Sequence, residues 1–216
     1  MILGIGYVAV EPFTRRYWPT LMVSWQRLLS GRLRDSLVGR DVLFGVLAGA
    51  ISTALLLGAN ARVGISEAFP VSAEFGAGAW ASVGAVVQRL SQAGFIAMEY
   101  LALLTIATGV LRKKWLALLV MGVLLVGKYA SPNAVDVVLT IVYVSMFMIV
   151  FVRLGLIAGA CFLVVFYSIS QSPPLDFSQW YAGRAMITLL PVLALLLYGF
   201  YISLGSQPVF GKALED

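Results

Sequence analysis

Six long apolar segments constrain this chain more than any other feature, because each approaches the length needed to cross a lipid bilayer. A spanning α-helix needs about 20 residues, and an open strand in lipid would leave its backbone groups unpaired. The composition agrees, with 61% hydrophobic and 12% charged residues and a mean hydropathy of +0.94. We therefore predict an all-α, polytopic integral membrane bundle with about six transmembrane helices. The predicted crossings are Val42–Ala59, Gly94–Leu111, Trp115–Ala130, Val135–Val152, Leu154–Ser170 and Ala185–Leu204.

The residue types that most enzymes need are scarce. Histidine is absent and Cys161 is the single cysteine, within an apolar run. The sequence therefore holds no Ser-His-Asp triad, no HExxH helix, no thiolate cluster and no P-loop motif. We predict a non-enzymatic protein with no catalytic residue, cofactor or metal. The net charge of +5 is explained by membrane topology, so nucleic acid is not an expected partner.

The basic residues divide the chain into three regions. We predict a short apolar segment with a basic amphipathic loop at 1–41, the transmembrane bundle at 42–205 and a tail at 206–216. If the loop is cytoplasmic, eleven basic residues lie inside and four lie outside, which favours a cytoplasmic loop and C-terminus. The inner set is Arg15, Arg16, Arg27, Arg32, Arg34, Arg40, Arg112, Lys113, Lys114, Arg153 and Lys212. The outer set is Arg62, Arg89, Lys128 and Arg184.

The first loop contains an amphipathic helical pattern. Apolar residues at 21, 22, 25, 28 and 29 share one helical face. This pattern predicts a helix in the headgroup layer that contacts the bilayer and its anionic headgroups. The alternative is an ordinary helix packed on the bundle. The predicted membrane-interface residues are Arg15, Arg16, Trp18, Trp25, Arg27, Arg32, Arg34 and Arg40.

Two connections leave alternatives open. Arg153 alone separates the fourth and fifth crossings, which predicts a very tight hairpin; one long bent helix would change the parity of the topology. The stretch Trp80–Val87 is apolar but too short to cross. A surface helix or a re-entrant segment fits it equally well.

The polar residues of the crossings suggest one candidate intramembrane site. Glu99 lies within the second crossing, and Asp136, Thr140 and Tyr143 form a stripe on the fourth. A carboxylate in hydrocarbon is costly unless it is paired, neutral or exposed to water. Glu99 is therefore either a proton or ligand site, or a structural carboxyl that hydrogen-bonds to Tyr143 or Thr140. We favour the structural role, and we expect Asp136 to contact Lys128.

Small residues at intervals of four predict close helix contacts. Gly45 and Gly49, extended by Thr53, form one such motif, and Gly155 and Gly159 form another. Small side chains at this spacing let two helices approach closely. We interpret both motifs as packing features.

Five short stretches also resemble a known protein group. They are EPF at Glu11–Phe13, WP at Trp18–Pro19, SWQRLLSGR at Ser24–Arg32, LVGRDVL at Leu37–Leu43 and GSQPVFG at Gly205–Gly211. Together they resemble the C-terminal membrane region of bacterial serine/threonine protein kinases, chiefly acidobacterial. The resemblance implies the bacterial inner membrane and a preceding cytoplasmic kinase domain. Kinase motifs are absent from these 216 residues, so kinase activity does not carry over.

Three functions follow as hypotheses. The first is a sensory or anchoring membrane module, whose partners would be a cytoplasmic kinase domain or a second copy of the chain. The second is a small transporter or channel that uses Glu99, although no inverted repeat is visible in the spacing of the crossings. The third, an intramembrane enzyme, has the least support because histidines and paired acids are missing.

Overall fold

The computed structural model describes residues 11–63, 78–130, 133–171 and 182–204, and within these ranges every regular element is helical. Predictions for 1–10 and 206–216 lie outside the described residues. The elements begin with α1 at residues 11–17 and a short 3₁₀ turn at Pro19–Met22. They continue with α2 (Val23–Leu29), α3 (Ser36–Val63), α4 (Ala79–Leu111), α5 (Lys114–Tyr129), α6 (Ala134–Leu154), α7 (Leu156–Ser170) and α8 (Ala182–Ser203).

Four of these helices are long and apolar enough to cross a membrane. They are Ser36–Ala59 in α3, Trp80–Leu111 in α4, Ala134–Leu154 in α6 and Met186–Ser203 in α8. The other two predicted crossings are shorter helices, with 16 residues in α5 and 15 in α7. The prediction of an all-helical membrane protein is therefore confirmed at the level of four candidate spans.

The long helices alternate in direction, and this alternation gathers the basic residues at one end. Residues 11–35 meet the C-terminal part of α4 through Thr14 and Thr105, and they meet α8 through Leu33 and Tyr198. The turn between α6 and α7 joins them through Gly155. We call the end of the bundle that these segments share the basic end. Ten of the eleven basic residues in the predicted inner set belong to it; the eleventh, Lys212, lies outside the described residues.

The connection after Arg153 is a tight hairpin. Gly155 has a positive φ of +98° and separates α6 from α7. A side chain there would also meet the Leu21 carbonyl oxygen at 2.8 Å. The two helices then run antiparallel, with the rings of Tyr143 and Phe166 4.7 Å apart between centroids. The hairpin prediction is confirmed, and the long bent helix is excluded.

The stretch Trp80–Val87 is helical, but it is neither a separate surface helix nor a re-entrant segment. This stretch is the first part of α4, a continuous helix of 33 residues. At 1.5 Å per residue, α4 is about 50 Å long, well beyond a hydrocarbon layer of about 30 Å. Apolarity placed the start at Gly94 because polar residues from Gln88 to Gln92 interrupt the run. The helix continues through them, since no proline breaks it.

The motif of Gly45 and Gly49 brings α3 against α7. An added Cβ at Gly45 would collide with the Ala158 carbonyl oxygen, and one at Gly49 would lie 2.9 Å from the Phe162 carbonyl oxygen. Side chains at either position would therefore push the two backbones apart. The packing interpretation of this motif is confirmed.

Candidate functional site

Residues 11–35, which we call the cap, are fixed to the bundle by buried hydrogen bonds. The Trp18 indole N–H donates to the Thr108 hydroxyl at 2.9 Å, and that hydroxyl donates to the Leu104 carbonyl at 2.7 Å. The Thr14 and Thr105 hydroxyls lie 2.9 Å apart in the same arrangement one turn away. These bonds join residues about ninety positions apart and tie the cap to α4.

A second attachment joins the cap to the start of α3. The Ser24 hydroxyl donates to the carboxylate of Asp41, which is 1% exposed. Arg40 binds the other oxygen of that carboxylate at 2.9 Å. Because a buried carboxylate is costly when unpaired, this arrangement ties α2 to α3.

A third interaction closes the turn between α2 and α3. The Arg27 guanidinium donates to Asp35 at 2.6 Å. Partial burial raises the pKa of Asp35, but the bonds from Arg27 and the Leu37 N–H outweigh this effect, together with the charges of Arg27 and Arg32. The pKa of Asp35 therefore lies below its usual value of 3.8.

The apolar stripe of the cap faces the bundle over part of its length. Leu21 and Met22 are each 1% exposed and belong to the main apolar core, whereas Leu29 is 58% exposed. The pattern predicted one amphipathic helix, but a 3₁₀ turn precedes the seven-residue α2. Leu21 and Met22 therefore follow the alternative prediction, in which this segment packs on the bundle. Contact of the cap with lipid stays a prediction.

The predicted interface residues divide into packed and exposed groups. Trp18 is buried, Trp25 and Arg27 are half-buried, and the other five arginines are exposed. Lys114 lies over the Trp18 ring at 4.9 Å, and three of the arginines form ion pairs: Arg15 with Glu11, Arg27 with Asp35 and Arg40 with Asp41. The exposed arginines are Arg15, Arg16, Arg32, Arg34 and Arg40.

An apolar cavity of about 590 Å³ lies beneath the cap. Side chains from α2, the turn that follows it, α3, α4, α7 and α8 line it, among them Trp25, Leu33, Met98, Cys161 and Leu195. Sequence analysis missed this cavity, because its walls meet only when the helices pack.

Four tyrosines from α4, α5, α6 and α7 gather toward the opposite end. The Tyr100 and Tyr129 hydroxyls are 2.7 Å apart, and Tyr167 interacts electrostatically with Tyr129. Tyr143 lies near all three. The Lys128 ammonium lies 5.4 Å from the centre of the Tyr129 ring. We call these four tyrosines the tyrosine cluster.

The structure brings only part of the predicted intramembrane site together. Half-buried Glu99 lies near the tyrosine cluster and interacts electrostatically with Tyr100 and Tyr167. Within the described part of the chain, however, no hydrogen bond links it to Tyr143 or Thr140. The buried Tyr143 hydroxyl has no hydrogen-bond partner there. The expected structural hydrogen bond of Glu99 is therefore not formed.

The remaining members of that site lie along α6. Thr140 is buried, and Asp136 is half-buried in the first turn of the helix. Asn133 caps α6 by accepting a hydrogen bond from the Val135 N–H at 2.9 Å. The expected contact between Asp136 and Lys128 stays a prediction.

Arg89 is a polar residue that sequence analysis placed in the outer loop. It is 3% exposed within α4, and its guanidinium donates to the Gln171 carbonyl at 2.8 Å. Gln171 is the C-cap of α7, where the partial charge of a helix end is negative. A cation at this end stabilises the helix. The available sequence signal was the absence of proline around Arg89, which lets one helix continue through this polar stretch.

No protein-family model, curated protein or solved structure matches the chain. Among the described residues, no group of three or more His, Cys, Asp or Glu side chains is placed to hold a metal ion.

Proposed function

We propose that this chain is a non-enzymatic sensory or anchoring module of the bacterial inner membrane. It crosses the membrane six times, with α5 and α7 as short crossings, and places its cap and C-terminus in the cytoplasm. The cap lies at the membrane face, where its exposed arginines contact anionic headgroups. The signal enters or leaves through the cap.

The attachment of the cap to the bundle carries this proposal. The hydrogen bonds of Trp18 with Thr108 and of Ser24 with Asp41 are buried, and they join the cap to two different membrane helices. A shift of α3 relative to α4 must therefore move or release the cap. Such a two-point attachment is a physical route by which a change in the membrane part reaches a cytoplasmic domain.

The charge distribution supports the orientation. The basic end holds ten described basic residues, whereas four belong to the opposite end: Arg62, Arg89, Lys128 and Arg184. Positive residues concentrate in cytoplasmic connections of membrane proteins. The resemblance of Ser24–Arg32 and Leu37–Leu43 to the membrane region of serine/threonine kinases supports a cytoplasmic kinase domain as the partner.

The complete reading frame of the gene tests the kinase association. We expect this reading frame to encode a kinase domain on the N-terminal side of the EPF segment at Glu11–Phe13. Autophosphorylation of that full-length protein should then change when Trp18→Phe weakens the cap attachment, while Trp115→Phe, at an exposed position on α5, should leave it unchanged. A frame without a kinase domain contradicts the association.

A transporter remains the second candidate, and the surroundings of Glu99 favour it. This half-buried acid interacts electrostatically with Tyr100 and Tyr167 of the tyrosine cluster, and among described residues it forms no ion pair. An intramembrane acid with polar neighbours is a feature of proton and cation pathways. Flux of protons or cations in liposomes that requires Glu99 would support this function over the first.

A further inference from the structure

The cavity beneath the cap has the character of a site for an apolar chain. Its volume of about 590 Å³ falls within the range of ordinary small-molecule sites, about 300–1,000 Å³. Its walls are apolar side chains, and the one tyrosine hydroxyl, that of Tyr198, already donates to the Leu33 carbonyl at 2.5 Å. The lining therefore offers dispersion contacts and excludes a polar ligand.

Two of the leucines that line the cavity are exposed, and exposed arginines flank one of them in the sequence. Leu29 and Leu33 line the cavity and are 58% and 55% exposed. Arg32 and Arg34 flank Leu33 in the sequence and are both exposed. Within the described part of the chain, neither forms an ion pair, whereas Arg27 is paired with Asp35. An apolar interior and two exposed cations next in sequence to the lining residue Leu33 complement a molecule with an acyl chain and an anionic head.

We propose that this cavity binds one acyl chain of an anionic phospholipid from the surrounding membrane, with the lipid phosphate held by Arg32 and Arg34. The membrane is the source because α3, α4 and α8, which line the cavity, are candidate spans, so hydrocarbon surrounds them. Guanidinium groups bind phosphate through charge-assisted hydrogen bonds. The inference rests on the proposed position of the cap at the membrane face. It makes the cap a lipid-dependent element.

A photoactivatable lipid tests the site on the full chain. Phosphatidylglycerol with a diazirine in one acyl chain is added to the protein in nanodiscs, and cross-linked peptides are mapped by mass spectrometry. We expect labelling of the cavity walls, at Met98 or Cys161, that unlabelled phosphatidylglycerol competes away. The same probe with a phosphatidylcholine head should label these positions much less.

Matched variants distinguish the contribution of the lipid headgroup from that of the acyl chain. Arg32→Gln with Arg34→Gln should reduce the labelling of Met98 and Cys161 by roughly 25-fold, at about fivefold for each arginine. Arg112→Gln with Lys113→Gln removes the same charge from the exposed turn between α4 and α5, which does not line the cavity, and should leave labelling unchanged. Ala160→Phe, which fills the cavity, should abolish it, whereas Ala54→Phe on the exposed face of α3 should not. The arginine variants lie on the surface, so the test stands even if Ala160→Phe fails to fold.

Labelling confined to outward-facing residues would overturn the proposal, as would equal labelling by the two headgroups. A topology reporter in the same protein distinguishes this failure from failure of the proposed function. If the cap is cytoplasmic and the cavity stays unlabelled, only the lipid site is wrong. If the cap lies on the outer side, the proposed orientation is wrong and the lipid site loses its basis with it.

Discussion

Glu99 shows how strongly a single residue depends on its neighbours. It is the one acid between Gly94 and Leu111, and the tyrosine cluster lies beside it. The side chain is half-buried and has no hydrogen bond to another described residue. Its carboxyl therefore does not fix the packing of α4 against α6, although the sequence favoured that role.

We expect Glu99→Gln and Glu99→Leu both to change the unfolding free energy by less than about 0.5 kcal/mol, because no described partner is left unsatisfied. Tyr100→Phe is the matched comparison, since it removes the 2.7 Å bond to Tyr129 and should cost about 1 kcal/mol. Thermal unfolding in detergent measures all three. A large loss in Glu99→Leu alone would reveal a polar partner.

The same variants test the second candidate function. We expect no proton or cation flux through the parent protein in liposomes, so Glu99→Gln should not change the measured flux. Flux in the parent that is lost in the stable Gln variant would establish Glu99 as a functional group. This outcome would replace the sensory module with a transporter.

The pair of Asp35 with Arg27 makes the cap sensitive to acid. The pKa of Asp35 is lowered in the folded protein, so its stabilising effect is complete above its usual pKa of 3.8. The effect is lost as the pH falls through the lowered folded value. We expect amide exchange in residues 30–37, corrected for intrinsic rates, to accelerate as the pH falls from 5 toward 2. Asp35→Asn should exchange rapidly at every pH; a parental profile without acid dependence would contradict this role.

At the scale of elements, glycines set the distance between α3 and its neighbour α7. Gly45→Ala should destabilise the protein by about 1–3 kcal/mol, because the new methyl collides with the Ala158 carbonyl. Gly58, in the same helix, has no atom within 4 Å of an added Cβ. Gly58→Ala should therefore be neutral or stabilising by about 0.5–1 kcal/mol. Equal melting temperatures for the two variants would contradict the close contact.

The docking of the cap onto α4 is an element-scale contact with its own test. Trp18→Phe keeps an aromatic ring beneath Lys114 but loses the hydrogen bond to Thr108. We expect a loss of about 0.5–1.5 kcal/mol and faster amide exchange across residues 11–35. Trp115→Phe, at a residue 61% exposed, should alter neither measurement. Unchanged exchange in the cap of Trp18→Phe would show that this bond does not hold it.

At the scale of the whole molecule, the alternating helices predict a fixed orientation. A reporter fused after Gly211 should read as cytoplasmic, and one inserted between residues 64 and 77 should read as external, because the basic end retains the positive charge. Two fusions that report the same side would contradict the six-crossing arrangement. If both reporters read opposite to this expectation, the fold would be retained and the cap would lie on the outer side of the membrane.

The sequence determined the class of the fold, one helix hairpin and the presence of one close helix contact. Apolar runs of this length leave helix as the state that satisfies the backbone in lipid, so the all-helical membrane bundle follows from composition and spacing. The lone Arg153 between two apolar runs was enough to place the hairpin that Gly155 makes. Gly45 and Gly49 marked a close helix contact in the same way, although not the partner helix.

The tertiary structure decided which faces meet. In hydrocarbon a helix is apolar all round, and lipid is as apolar as a neighbouring helix, so the sequence carries little information about rotation or tilt. The pairing of Trp18 with Thr108, the tyrosine cluster, the contact of Arg89 with Gln171 and the cavity beneath the cap all join residues that are distant in sequence. They form only when the helices from α3 to α8 take their places, because it is packing rather than hydrophobic burial from water that orients helices inside a membrane.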